Sequence, residues 1–197
     1  MPGIIQMESD WVKYCWMVRK DYDPGQHIGH ERMKAVCAIW GSWQSWRTCA
    51  TDNIIVEDFA DARRLLDREL HTRTNMWTHE ENFDLLGRPD TLSLHNITID
   101  KSLRDKNDLV ALALSAARHE IVMCAGFDLT FDDAETDRLE RHEQKRFLSA
   151  VANIAKGFDQ TQFVFIDLPS EPAENFEGLP NVTRDSMDNV LALVATL

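Results

Sequence analysis

The stretch from Asp108 to Thr130, DLVALALSAARHEIVMCAGFDLT, constrains the fold more than any other part of the chain. Leu109, Leu112, Ala113 and Ala116 recur at helical spacing and predict an amphipathic helix. That helix runs into a short apolar strand, Ile121-Val122-Met123-Cys124, which ends in Gly126-Phe127-Asp128. A helix feeding an uninterrupted apolar strand, with a glycine and a carboxylate at its carboxyl end, is the repeating unit of a parallel α/β sheet. Open sheets of this kind place their ligands at the strand carboxyl ends.

The same grammar recurs along the chain. Strands are predicted at Trp11 to Val18, at Lys34 to Trp40 running into Gly41-Ser42, at Asn53 to Asp58, and at Gln162 to Asp167. Weaker strand patterns lie at Thr74 to Thr78 and at Leu92 to Ile97. Helical spacing covers Phe59 to Leu70, Glu80 to Leu86, Asp132 to Phe158 and Asn189 to Leu197. Asp21 to Gly25 is turn chemistry, and Gly157 marks a helix end. The expectation is a single α/β domain over residues 1–197, a Rossmann-like three-layer sandwich with a mostly parallel sheet.

Composition narrows the function classes. A net charge of −12 argues against a nucleic-acid partner, because phosphate binding is carried by clustered Lys and Arg. The run of Arg63, Arg64, Arg68 and Arg73 sits among acidic neighbours and reads as a solvated helix face. None of the four cysteines forms a CxxC pair, and Cys15, Cys37 and Cys124 lie in apolar runs as small buried hydrophobes. No signal peptide is evident, and no apolar run approaches the ~20 residues of a membrane span. These features predict a soluble, reduced, cytoplasmic protein.

Four groups of residues could carry chemistry. The predicted strand ends bring Gly41-Ser42, Glu57-Asp58, Gly126 to Asp128 and Asp167 to one edge of the sheet. There glycine lets a ligand approach the backbone, and a carboxylate accepts hydrogen bonds from ribose or sugar hydroxyls. The plain alternative is that each Gly makes a turn and each Asp caps the next helix. Trp40, Trp43 and Trp46 fall three apart, followed by Arg47. They could stack on a base or sugar while Arg47 pairs with phosphate, or they could form a core or subunit-interface cluster. His79 and His95 each follow a strand-like run and are candidate general bases, whereas His119 reads as structural at a helix C-terminus. In His27-Ile28-Gly29-His30-Glu31, Gly29 weakens the helix an HxxH metal pair needs, and spacing supplies no third ligand. The acidic-basic run Asp132 to Arg146 reads as a solvated helix laced by pairs such as Asp137 and Arg141. Neither GxGxxG nor a Walker loop is present, so no cofactor follows from the residues.

The segment from Leu109 to Leu129, with its helix, strand and Gly126-Phe127-Asp128-Leu129, resembles one in two families. These are the Rossmann-like bacterial sialyltransferases and the hydroxymethylpterin diphosphokinase-like, motility-associated glycosyltransferase-like proteins. Those families open with a strand and a Gly-x-Gly-Pro-Ser turn that holds the nucleotide. Ala38 to Trp43 is loosely similar but lacks the second glycine and the proline. The resemblance implies a nucleotide-sugar or related diphosphate ligand near Gly126 and Asp128.

Two functional readings follow. In the first, a nucleotide-type ligand binds at the strand carboxyl ends of a possible transferase. Gly41, Ser42 and Gly126 give backbone approach, Asp58 and Asp128 hold hydroxyls, Arg47 takes phosphate, and His79 or His95 acts as base. In the second, an accessory or virus-encoded interaction or assembly protein uses the scaffold without a working site. It forms a homo-oligomer or holds a protein partner through Trp40, Trp43 and Trp46.

Overall fold

The computed structural model describes residues 13–19, 37–46, 49, 51–69, 74–87, 89, 92–100, 102–103, 105–129, 138–167 and 173–196. Among them, eight strands form one sheet. They are β1 (Tyr14–Val18), β2 (Ala38–Ser42), β3 (Asn53–Ile55), β4 (Asn75–His79), β5 (Leu92–His95), β6 (Ile121–Ala125), β7 (Gln162–Ile166) and β8 (Val182–Asp185). Their order is β5-β4-β3-β2-β1-β6-β7-β8, and every pairing is parallel.

Side chains alternate across the sheet with period two. Cys15, Met17, Trp40, Ile55, Val122, Cys124, Phe163 and Phe165 face one layer, built on α4 (Lys106–Ala116) and α5 (Arg138–Gly157). Trp16, Val18, Ile39, Met123, Ala125 and Ile166 face the other, under α6 (Met187–Val194). On that second side Ile54, Val56 and Met76 pack beneath α2 (Phe59–Asp67), with Trp43 and Trp46 of α1 (Trp43–Trp46) and Phe83 of α3 (Glu80–Leu85) around them. The result is the three-layer, Rossmann-like sandwich expected. Helices between β2 and β5 lie on one face. α4 and α5, after β5 where the chain crosses back over β1, lie on the other, and α6, after β8, returns to the first. Right-handed crossovers require that exchange of faces when the direction of travel reverses.

The structure changes three details. The helix over residues 106–116 is not amphipathic: all its residues from Asn107 to Ala116 are buried. It spans the centre of the sheet and is itself covered by α5, so it has no solvent face. β8 was not legible, because VTRD is a short, polar edge strand with three exposed residues. The third strand is shorter than expected, ending at Ile55, because Asp58 already caps α2. Several expectations fall outside the described residues: the turn at 21–25, the histidines His27 and His30, Arg47, Arg73, and residues 132–137 of the long helix. Among the described residues no helix is long and apolar enough to cross a membrane.

Candidate functional site

Parallel register brings the two predicted bases together. Ile55 pairs with Trp77, Trp77 with Ser93, and His79 with His95, so these side chains share one face of the sheet. Glu57, two residues beyond Ile55, returns to that face. Its Oε1 lies 2.7 Å from His95 Nε2. The His95 side chain is 0% exposed and that of Glu57 14%. The His79 ring stands edge-on to His95, centroids 6.0 Å apart.

Residue 57 is fixed through its backbone as well. Its N–H donates to Asn107 Oδ1 at 3.2 Å, and its carbonyl accepts from Asn82 Nδ2 at 2.7 Å. Thr78 Oγ1 donates to the Val56 carbonyl at 2.8 Å, locking β4 to the end of β3. His95 Nδ1 is buried and meets no hydrogen-bond partner. The carboxylate therefore holds the imidazole by one nitrogen, and the other has no hydrogen-bond partner among the described residues.

A cavity of about 310 Å³ opens beside this group, lined by Glu57, His79, Glu81, Asn82, Thr98 and Lys106 on its polar side and by Phe59, Leu85, Ile97, Ile99 and Val110 on its apolar side. That volume lies at the lower end of the range for small-ligand pockets. His79 is half-buried on the cavity wall, and its ring nitrogens have no hydrogen-bond partner among the described residues. A second cavity of about 370 Å³ adjoins at Lys106 and is lined by Asp58, Asp61, Asp105 and Asp108 with Gln44 and Asn107.

The other predicted site residues have separate fates. Gly41 is closed to a ligand by packing: a Cβ there would meet Ser45 Cβ and the Val18 carbonyl at 3.0 Å and Thr51 Cγ2 at 3.2 Å. The buried Ser42 Oγ accepts the Ser45 N–H at 3.4 Å and lies 3.2 Å from the Ser45 hydroxyl, so it serves the start of α1. Asp58 is the N-cap of α2, accepting the Asp61 N–H at 3.0 Å, while also lining the second cavity. Gly126 has φ +78°, the left-handed turn by which the chain leaves β6, and Asp128 is exposed beyond it. Neither lines the two cavities described above. From β6 to β5 is five strand spacings of about 4.8 Å, so His95 and Gly126 lie roughly 24 Å apart. The candidates thus form two groups, not one rim.

Where strand order reverses, between β1 and β6, an open sheet leaves its usual ligand crevice. Here Arg19 stands in that place. Its guanidinium pairs with Asp105, approaches Asp108 Oδ2 at 3.4 Å and stacks 4.3 Å above the Phe147 ring. Sequence reasoning missed Arg19, because no spacing links it to residues 86 positions away.

The tryptophans divide by face. Trp40 is 2% exposed and donates its indole N–H to His119 Nε2 at 3.1 Å, with Trp77 5.7 Å away. His119 thus serves Trp40 rather than a helix dipole. Trp43 and Trp46 are half-buried against the α2 layer, with Arg64 5.0 Å above Trp43. The core alternative describes Trp40, while Trp43 and Trp46 keep part of their surface exposed. All four cysteines are buried and none is in a disulfide. Burial pushes the Cys37 thiol up to about 12 and those of Cys15 and Cys124 well above the ordinary range. Among the described residues, no cluster of three or more His, Cys, Asp or Glu is arranged to hold a metal ion.

Comparison with protein-family models, with curated proteins and with solved structures finds no match for this chain.

Proposed function

We propose that this protein binds a nucleotide-type or sugar-type small molecule at the carboxyl ends of β3, β4 and β5 and carries out group transfer at a ligand hydroxyl. One observation carries the reading: a reachable imidazole, His79, stands beside a buried Glu57–His95 pair on the wall of a concave cavity. A general base must be within reach of the proton it takes, and a rigid neighbour must fix its surroundings. His79 takes the proton of a ligand hydroxyl as that oxygen attacks the transferable group of an activated donor such as a sugar nucleotide, whose bond to its diphosphate leaving group breaks with the electron pair going to the diphosphate. Glu57 and His95 position the floor on which His79 rests.

The wall chemistry supports this ligand class. Glu57 and Asn82 supply polar contacts for hydroxyls, while Phe59, Leu85 and Ile97 supply an apolar side for a ring. Charge narrows it. The adjoining cavity carries four carboxylates against Lys106, so a hydroxyl-rich, weakly charged ligand fits better than a bare diphosphate. A single phosphate would sit on Lys106, which has no ion-pair partner among the described residues.

A thermal-shift screen against nucleosides, nucleotides and sugar nucleotides tests the reading. Ligand at a hundredfold over its Kd adds about 2.7 kcal/mol, and at roughly 2–4 °C per kcal/mol this is a rise of about 5–11 °C. His79→Ala should keep the shift and lower turnover by about 10²–10⁴. A flat screen refutes the reading.

Among the described residues, Arg19 stands at the switch point, and this favours a second reading, an interaction protein that keeps the scaffold. Packing also seals Gly41. Under it, Trp43→Ala changes mass in solution or partner capture, and an unchanged result in both sinks it.

A further inference from the structure

Glu57 and Asn82, neighbours on the wall of the strand-end cavity, each use one end of the side chain to hold the protein together. Asn82 Nδ2 donates to the Glu57 carbonyl at 2.7 Å and to Thr78 Oγ1 at 3.3 Å. Thr78 Oγ1 is an acceptor there, because its own hydrogen goes to the Val56 carbonyl at 2.8 Å. Two acceptors thus fix which end of the amide is nitrogen and turn Oδ1 away from both. Glu57 Oε1 is engaged by His95 Nε2 at 2.7 Å. That leaves Asn82 Oδ1 and Glu57 Oε2. Neither has a hydrogen-bond partner among the described residues, and neither is sealed from solvent. Because Asn82 clasps the peptide of the residue that carries the carboxylate, the two oxygens are held as a unit.

A fixed pair of accessible acceptors is complementary to a ligand with a pair of donors. A phosphate or carboxylate has none to give. Glu57 and Lys106 bring opposite charges to the cavity, and Glu81 already makes another interaction, so the wall has no surplus that calls for an ion. Adjacent hydroxyls are the neutral donors that fit. A hydroxyl carries one hydrogen, so the hydroxyl that loses its proton to His79 is a third one. Size sets a further limit: at about 310 Å³ the cavity takes one ring and its substituents rather than a whole sugar nucleotide. Phe59 and Leu85, 39% and 63% exposed, give that ring an apolar seat opposite the acceptors.

We propose that Glu57 Oε2 and Asn82 Oδ1 clamp a vicinal diol, which makes this cavity the acceptor subsite. Its occupant is a neutral sugar ring with one further hydroxyl for His79, supplied as a ribonucleoside or as a free pentoside. The inference rests on the strand-end reading above and deepens it by naming which partner of the transfer sits here.

The test titrates the full chain with adenosine, its 2′-deoxy and 3′-deoxy analogues, and methyl β-D-ribofuranoside, read by ligand-observed NMR. Adenosine should bind. The analogue lacking the hydroxyl held by Glu57 should bind about 10–150-fold more weakly, the loss expected for one hydrogen bond to a charged group, and the other analogue several-fold more weakly. Adenosine binding tighter than the methyl riboside identifies the nucleoside as the source, and equal binding identifies the free sugar; both support the clamp. In Glu57→Gln the amide oxygen keeps the His95 contact and an NH₂ group replaces the accepting oxygen. The preference for the diol should collapse there while urea unfolding stays cooperative. Equal binding of the deoxy analogues by the wild type, or a diol preference that survives Glu57→Gln, overturns the clamp and leaves the strand-end reading standing. No binding of adenosine or the methyl riboside also overturns the clamp. If nucleotides and sugar nucleotides then leave the melting temperature unmoved as well, the strand-end reading falls with it.

Discussion

Removing the Glu57 carboxylate should destabilise the protein through His95. In the native state the Glu57 contact at 2.7 Å is the one hydrogen bond His95 makes through its ring, and the side chain is 0% exposed. Glu57→Ala leaves that imidazole buried with neither nitrogen satisfied. The two bonds made by the residue 57 backbone, to Asn107 and Asn82, survive the substitution and confine the effect to the side chain. A lost hydrogen bond to a charged group costs about 1.5–3 kcal/mol, and a stranded buried polar group costs a similar amount. The two overlap, so about 2–3 kcal/mol is expected. For a chain of 197 residues that lowers Tm by roughly 4–12 °C. Glu57→Gln keeps an oxygen that accepts from the His95 N–H and should cost only about 1 kcal/mol. The assay is urea unfolding of both variants and of the Glu57→Ala, His95→Ala pair. Residues in contact show coupling of about 0.5–3 kcal/mol, so a coupling indistinguishable from zero would refute the reasoning.

Three further outcomes are expected. Gly41→Ala should cost about 1–3 kcal/mol in urea unfolding, since its Cβ would meet a backbone oxygen that cannot move aside; an unchanged midpoint would show the position to be roomier than its contacts allow. Cys15, Cys37 and Cys124 should stay unmodified by iodoacetamide at pH 8 in the native protein and react fully in denaturant, because burial raises their thiols. Asp100 is held below the usual carboxylate range first by the Ser102 N–H, then by the Ser102 hydroxyl and Arg146. Because its folded value is depressed, its contribution to holding Ser102 and Arg146 is complete above the unfolded value near 3.8 and is lost as pH falls through the folded one. A carboxyl-carbon NMR titration with a midpoint at or above the ordinary range would contradict this.

The fold was legible because burial on both faces leaves a mark that needs no tertiary knowledge. WMV, IVMC and FVFI are uninterrupted apolar runs, and a central parallel strand must look like that. β8 lacked the mark because an edge strand has one neighbour and tolerates Thr, Arg and Asp. Single-residue roles split along the same line. Asp58 as a helix cap was readable from Asp58-Phe-Ala-Asp61, since capping acts within four residues. The histidines were readable only as separate strand-end residues.

What the sequence alone determined is the class: a largely parallel α/β sheet, from local periodicity. What only tertiary structure decided is which strand ends share a site. Register sets His79 beside His95 and Glu57 beneath them. Strand order sends Gly126 and Asp128 to the other side of β1 and lets Arg19 reach Asp105 and Asp108. Periodicity is a property of neighbours along the chain. Strand order and register come from packing between segments tens of residues apart, and no local spacing encodes them.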